Sequence, residues 1–144
     1  MMTEISLNVL DVSENSTRAG ASLVTILVTA DTSADKLTIV IADNGCGMTP
    51  EQAAHVTDPF FTTRTTRKVG LGIPFFKYAA ESTGGSFHIE SEPGKGTTVT
   101  AVFGLSHIDR MPLGDMNATI HNLIVYHPDT DFLYTYTYND ASFT

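Results

Sequence analysis

Residues 37–48 read LTIVIADNGCGM and place a run of aliphatic, largely β-branched side chains directly before an aspartate and two glycines. The first six residues of this stretch predict a buried strand. A carboxylate at the end of such a strand, here Asp43, can accept hydrogen bonds inside a pocket, for instance from an exocyclic amine. Gly45 and Gly47 allow positive φ and let another group approach the backbone closely. An ordinary strand–turn–helix corner has the same pattern, so the neighbouring motifs must decide between the two interpretations.

Three other segments accompany this stretch in a fixed order along the chain. Residues 10–21 read LDVSENSTRAGA, residues 58–64 read DPFFTTR and are followed by GLG at 70–72, and residues 94–97 read GKGT. Together with DNGCGM they resemble the N, G1, F, G2 and G3 boxes of the GHKL ATPase superfamily. That superfamily includes sensor histidine kinases, MutL mismatch-repair ATPases, the ATPase domains of type II topoisomerases and a class of heat-shock chaperones. The resemblance covers about residues 4–104, and residues from Ser106 onward carry no family motif.

Length and composition are those of one globular domain. The 144 residues are 42% hydrophobic and 17% charged, which suits a soluble protein with a real core. No stretch approaches the roughly 20 apolar residues of a membrane span, and no basic-then-apolar leader opens the chain. The single cysteine, Cys46, excludes an intramolecular disulfide framework and predicts a reducing compartment, by default the cytoplasm. We also expect the Cys46 side chain to be a small buried filler.

Charge narrows the class of ligand. A formal net charge of −8 argues against a nucleic-acid partner, because phosphate backbones require clustered Lys and Arg. Four of the eight cationic residues nevertheless lie within positions 64–77. An acidic protein that binds a polyphosphate must concentrate its positive charge in this way, although a solvated basic loop has the same composition. The position of these cations between two glycine-marked motifs favours the anion-binding interpretation.

The first segment, residues 3–19, predicts a helix with two distinct arcs. Small and apolar residues share one arc suited to packing on a sheet: Ile5, Val9, Val12, Ser16 and Ala19. Polar residues share another arc, roughly 80° wide: Glu4, Asn8, Asp11, Asn15 and Arg18. Asp11 and Asn15 are i,i+4 neighbours and Arg18 follows three residues later, so all three can face one ligand.

The remaining pattern alternates helices with pairs of strands. Strands are predicted over 23–30, 37–42, 86–91 and 97–103, and helices over 71–82, over 115–126 and after Thr49-Pro50, an N-cap followed by proline. This order fits a two-layer α/β sandwich with helices on one face of a mixed, mostly antiparallel sheet, which is the Bergerat fold that the resemblance implies. We expect residues 1–105 to form the ATP-binding domain. Residues 106–144 form an extension, a helix plus an aromatic strand, packed on the same domain.

The aromatic strand of the extension has two interpretations. Phe132, Tyr134, Tyr136 and Tyr138 alternate with other residues at period 2, as a strand requires. The simpler interpretation is that this strand extends the sheet or covers its edge. The alternative is an exposed tyrosine-rich strand that contacts a partner protein or a second copy in a homodimer.

The resemblance implies ATP and Mg²⁺ as ligands and assigns roles to residues of the first two motifs. Asn15 matches the asparagine that ligates Mg²⁺, and its amide oxygen is a neutral hard ligand suited to that ion. Asp11 matches the position of the catalytic glutamate of MutL-like ATPases, but its shorter arm reaches one methylene less far. Arg18 either neutralises a phosphate oxygen or complements the dipole of the helix C-terminus. Glu14 points about 60° away from Asp11 and is a weaker candidate for the base.

The other motifs supply the base pocket and the phosphate site. Asp43 matches the aspartate that accepts the adenine amine, with Thr97 as its companion on the neighbouring strand, while Gly45, Gly47 and Met48 shape the adenine slot. The glycine motif Gly70-Leu71-Gly72 opens a helix whose amides form an anion site. A candidate lid over the β- and γ-phosphates consists of Thr62, Thr63, Arg64, Arg67 and Lys68. Such cations chiefly hold and neutralise phosphate charge.

Two classes of function are consistent with these motifs. The first is an enzyme, either a slow ATPase or a kinase whose phosphoacceptor lies on a separate protein, because the N box begins within ten residues of Met1 and no acceptor helix is expected before it. The second is a regulatory module without turnover, in which nucleotide binding orders the lid at 58–70 and a partner reads that state. We expect no membrane segment and no nucleic acid in either case.

Overall fold

The computed structural model describes residues 4–57, 72–139 and 141–143. The helices and strands of this part of the chain follow in the order α1 (Ile5–Arg18), β1 (Leu23–Asp31), β2 (Lys36–Asp43), α2 (Pro50–Val56), α3 (Gly72–Glu81), β3 (Ser86–Glu92), β4 (Gly96–Gly104), α4 (Met116–Tyr126), β5 (Asp131–Tyr138) and β6 (Ala141–Phe143). No helix within these residues is long and apolar enough to cross a bilayer.

The strands form one mixed sheet in the order β3-β4-β2-β1-β5-β6. The β1–β5 pair is parallel and the other four pairs are antiparallel. Helices α1, α3 and α4 pack beside one another and against the strands. The predicted two-layer α/β sandwich with a mixed, mostly antiparallel sheet is therefore confirmed.

Strand register explains why the functional residues gather at one end of the sheet. One cross-strand row on the helix-facing side is apolar and consists of Ile26, Ile41, Val99 and Ile89. Because side chains alternate between the two faces, the next row on the same side lies two residues away. That row consists of Val24, Asp43, Thr97 and Ser91. The core thus turns polar within one row, beneath the end of α1.

Helix α1 buries the predicted apolar arc, together with one residue of the predicted polar arc. Ile5, Val9 and Val12 are at most 2% exposed. Asn8, expected on the ligand-facing arc, is also buried, at 1% exposure. Helix α3 begins against this side of α1, since a Cβ added to Gly72 would lie 2.6 Å from the Cβ of Asp11. The amphipathic pattern assigns Asn8 to the polar arc, so its burial departs from the sequence-based expectation.

Helix α2 begins as its sequence predicts. The Thr49 hydroxyl accepts a hydrogen bond from the Gln52 backbone N–H at 3.2 Å, and the Gln52 side chain accepts one from the Thr49 backbone N–H at 2.9 Å. This reciprocal pair is a capping box, and Pro50 occupies the first helical position without losing a hydrogen bond. The predicted end of this helix at Pro59 lies outside the described residues.

The segment after Ser106 contacts both ends of α1. Glu4 provides no side-chain cap, and the carbonyls of Pro112 and Leu113 instead accept from the backbone N–H groups of Ile5 and Ser6 at 3.0 and 2.8 Å. At the other end, His127 Nε2 contacts Glu14 Oε1. These contacts satisfy donors that a helix N-terminus leaves without partners and hold α4 beside α1.

Strand β5 extends the sheet next to β1. Tyr134 and Tyr136 stand in register with the buried Ile26 and Val28, so they lie on the helix-facing side. Burial raises the pKa of Tyr134, and the neighbouring Tyr136 raises it further. The simpler of the two interpretations of this strand, sheet extension, describes its position.

The core can be tested with adjacent phenylalanines of α3. Phe76 is fully buried and packs against Phe103 and Phe87 at ring-centroid distances of 5.8 and 6.3 Å. Phe76→Ala should lower the free energy of unfolding by about 3–5 kcal/mol, because a large cavity remains. Phe75 is 41% exposed, and Phe75→Ala should cost about 1 kcal/mol. Urea denaturation followed by circular dichroism measures both, and equal losses would contradict the described core.

Candidate nucleotide-binding site

Asp43 is held between a turn and a helix. It is the last residue of β2, and its Oδ1 accepts from the Gly45 backbone N–H at 2.9 Å. Its Oδ2 accepts from the Ser16 hydroxyl of α1 at 2.7 Å. A carboxylate has no hydrogen to donate, so its remaining lone pairs can only accept. The orientation of the carboxylate is therefore fixed, and it has acceptor sites beyond those that Ser16 and Gly45 use.

The two glycines after Asp43 permit close backbone contacts on opposite sides of the turn. A Cβ on Gly45 would lie 2.9 Å from both the Cβ and the carbonyl oxygen of Ala19, at the end of α1. Gly47 has φ +71°, and a Cβ there would lie 1.9 Å from the carbonyl oxygen of Glu92. No side chain fits at either position, so the turn packs backbone to backbone between α1 and the β3–β4 turn.

Cys46 corrects the sequence-based expectation, because its side chain is exposed rather than buried. Its backbone explains the difference. The Cys46 N–H donates to the Ala19 carbonyl at 2.9 Å, and its carbonyl accepts from the Gly94 N–H at 2.7 Å. Both backbone groups thus face the protein, and the thiol turns outward.

Thr97 belongs to a small polar network at the adjacent strand. It stands opposite Asp43 in the β2–β4 register, as predicted. Its hydroxyl lies 2.7 Å from that of Ser91, whose oxygen also accepts from the Met48 backbone N–H at 2.8 Å. The network fixes the backbone of Met48 relative to Asp43. It also places two hydroxyl groups, those of Ser91 and Thr97, on the side of the turn that faces the strands.

The sequence pattern does not identify Ser16 and Ser91 as residues of the site. Ser16 was assigned to the packing arc, although it directly follows Asn15 in the motif. Ser91 faces Thr97 across the β3–β4 hairpin. Pairing the two predicted strands from their connecting turn brings Ser91 close to Thr97, whereas the bond from Ser16 to Asp43 requires the tertiary packing of α1 on β2.

On α1, Asn15 and Arg18 are already in contact. The Nη2 of Arg18 donates to the Oδ1 of Asn15 at 2.5 Å. The amide oxygen predicted to ligate a metal therefore already accepts a hydrogen bond from a guanidinium. Arg18 is exposed and can exchange this partner for another, so the residues present fit a magnesium ion completed by ligand phosphates and water.

Asp11 lies one turn before Asn15 on the same helix and is half-buried. Gly72, the first residue of α3, is buried against it. The structure thus brings Asp11, Asn15, Arg18 and Gly72 to one side of α1. The other predicted phosphate-site residues lie outside the described residues: Thr62, Thr63, Arg64, Arg67, Lys68, Gly70 and Leu71.

A cavity elsewhere in the described residues is separate from this site. A cavity of about 350 Å³ lies at the opposite end of α1 and is lined by Leu113, Gly114, Asp115, Met116, Asn117, Tyr134 and Tyr136. It contains none of the predicted nucleotide-binding residues. Within residues 4–57 and 72–139, no group of three or more His, Cys, Asp or Glu side chains is placed to hold a metal ion.

A strand-end carboxylate, a glycine turn and a helical asparagine at one end of an α/β sandwich are the features expected of an ATP-binding domain of the GHKL type. The sequence profile of the family described as "Histidine kinase-, DNA gyrase B-, and HSP90-like ATPase" matches residues 1–107. The chain belongs to this family, and the resemblance to GHKL ATPases is confirmed.

Individual relatives agree with the family. The chain is 33% identical over 102 residues to the sensor protein SrrB of Staphylococcus aureus, a match that covers 67% of this chain and 17% of that protein. The solved structure of the Aquifex aeolicus MutL ATPase domain complexed with ADP is similar with a TM-score of 0.57 and 16% identity. The match covers 100% of this chain and 63% of the MutL chain, and it supports the assignment of the fold. The chain matches only 11% to 17% of the length of the curated sensor proteins.

The turn after Asp43 can be tested with a pair of glycines. Gly84 has φ +77° with no atom within 4 Å of an added Cβ, so Gly84→Ala should cost only the left-handed backbone, about 1–2 kcal/mol. Gly47→Ala adds a collision with a backbone carbonyl and should cost about 1–3 kcal/mol more. Urea denaturation compares the two, and an equal loss in both variants would contradict the described contact.

Proposed function

We propose that this ATP-binding module binds ATP together with Mg²⁺ and acts as a slow ATPase or as a kinase on a separate protein. The observation that carries the proposal is the Asp43 carboxylate, fixed by Ser16 and Gly45 as an acceptor at the end of β2. Residues 1–105 form the ATP-binding unit, and residues 106–144 are an extension packed on it. The protein partner would supply the phosphoacceptor or receive the signal.

The carboxylate favours adenine over guanine. Adenine presents an exocyclic amine that donates to a carboxylate, whereas guanine presents a carbonyl oxygen at the equivalent position and would be repelled. With Ser16 and Gly45 already donating, Asp43 has acceptor sites left for one amine. Thr97 and Ser91 supply hydroxyl groups that can bond a ring nitrogen or an ordered water on the same side.

Asn15 and Arg18 serve the phosphate end. Asn15 would hold Mg²⁺ through its amide oxygen, and the ion would supply charge neutralisation between phosphate oxygens. Arg18 would leave Asn15 Oδ1 and donate to a phosphate oxygen, where a guanidinium forms strong charge-assisted bonds. The 2.5 Å contact between these two side chains supports such an exchange, because it places both of them close enough to reach the same phosphate group and its metal ion.

Asp11 distinguishes the two classes of function. Its place one turn from Asn15 and against Gly72 supports a role as the base that accepts a proton from water or from an acceptor side chain. The shorter arm of aspartate favours the alternative, a module with negligible turnover whose occupied state is recognised by a partner protein. Both versions use the same binding residues.

Nucleotide binding is tested by isothermal titration calorimetry with ATP and Mg²⁺. Asp43→Asn should weaken ATP binding about 10- to 100-fold, because an amide that turns its N–H₂ toward the ligand loses a hydrogen bond to a charged acceptor. Asp129→Asn changes the same functional group at an exposed position of the α4–β5 turn and should bind like the parent. Unchanged affinity in Asp43→Asn, or no binding by the parent, would refute the proposal.

Turnover is tested by phosphate release at saturating ATP and Mg²⁺. Asp11→Asn keeps the size of the side chain and removes its basicity, so an enzyme should slow about 100-fold or more. Glu14→Gln removes the neighbouring carboxylate that contacts His127 and should retain the parental rate. Equal background rates in the parent and Asp11→Asn would exclude ATP hydrolysis that depends on Asp11 and would favour the regulatory module.

A further inference from the structure

Asn8 is a buried amide without a partner. Its side chain is 1% exposed, and within the part of the chain that the structure describes neither its Oδ1 nor its Nδ2 has a hydrogen-bond partner. Each such group costs about 1–3 kcal/mol when it is left without a partner. Buried polar groups nearly always find one, and ordered water is a common choice. An aliphatic residue at this position would avoid that cost, so the amide calls for an explanation.

The position of Asn8 on α1 points toward the candidate site. At 3.6 residues per turn, Asn8 lies about 20° from Asn15 and about 60° from Asp11 around the helix axis. Helix α3 begins on this side, where the backbone of Gly72 approaches Asp11. Residues three apart on a helix have Cβ atoms about 5–6 Å apart, a distance that one water can bridge between two side chains.

We propose that Asn8 holds an ordered water in the contact between α1 and α3 and, through it, positions the Asp11 carboxylate. The inference rests on the proposed role of Asp11 as a base. The Nδ2 of Asn8 donates to the water, and the water donates to a carboxylate oxygen. Buried waters typically make about three such bonds, so backbone or ligand oxygens complete the site. Asn8 is thus a positioning residue, which acts on the reacting groups only through Asp11.

Ser13 provides a matched control on the same helix. It is fully buried, and its hydroxyl is also without a hydrogen-bond partner among the described residues. It lies about 160° from Asp11 around α1 and therefore faces away from that carboxylate. If burial of an unpaired polar group had only a structural effect, Asn8 and Ser13 would behave alike.

The direct test is a crystal structure of the parent protein at a resolution that shows ordered water. A water bonded to both Asn8 and Asp11 is expected, and Asn8→Leu should lack it. An Asn8 side chain without such a water, or a water that does not reach Asp11, would overturn the proposal. This readout does not depend on turnover.

The kinetic test compares Asn8→Leu with Ser13→Ala by phosphate release. Asn8→Leu should lower kcat by about 10-fold while KM for ATP stays within about 2-fold, because a base is misplaced and the binding residues are untouched. Ser13→Ala should change neither. Urea denaturation should show that Asn8→Leu is at least as stable as the parent, which separates positioning from unfolding, and Asn8→Val replaces it if leucine prevents folding.

The outcomes separate this inference from the proposed function. Parental kcat in Asn8→Leu would overturn the positioning role while leaving ATP hydrolysis intact. If the parent binds ATP but releases no phosphate, the ATPase form of the proposed function fails, and the crystallographic water alone decides whether Asn8 positions Asp11. A parent that does not bind ATP would refute the proposed function itself.

Discussion

The hydrogen bond from Ser16 to Asp43 is the contact on which the geometry of the site depends. It joins α1 to the end of β2 at 2.7 Å. Because Ser16, Asn15 and Asp11 lie on one helix, fixing Ser16 on Asp43 also fixes the distances from the Asp43 carboxylate to the Asn15 amide and to Asp11. The residues proposed for the two ends of a nucleotide are thereby positioned by one helix, and the strand register keeps Asp43 on the helix-facing side of the sheet.

Three glycines make that arrangement sterically possible. Gly45 approaches Ala19, Gly47 approaches Glu92, and Gly72 approaches Asp11, each so closely that an added Cβ would lie within 3 Å of a neighbouring atom. In a close-packed interior such neighbours cannot move aside without cost. The glycine motifs of this family thus serve here to bring backbones together, in addition to any role in contacting a ligand. The exposed Cys46 between two of them follows from the same packing.

The sequence was sufficient for those features that depend on local pattern. A continuous apolar, β-branched run predicted the strand that ends at Asp43, and Thr49-Pro50 predicted the start of α2. Features that depend on packing between distant segments were not predictable in the same way. The burial of Asn8 depends on the tertiary packing around α1. The bond from Ser16 requires α1 to pack on β2, and the outward Cys46 thiol requires Ala19 and Gly94 to bond its backbone.

The parallel pair β1–β5 has a consequence for how the chain folds. Leu23 pairs with Asp131, more than one hundred positions later, whereas the neighbouring pair β1–β2 closes through a short turn. Such distant pairing is slow to form. Until it does, the strand at the middle of the sheet presents a row of unsatisfied amide and carbonyl groups, which readily recruit other chains. Shortened versions that stop before Asp131 should therefore aggregate. Strand β5 covers the edge of β1 and so prevents that edge from pairing with other chains.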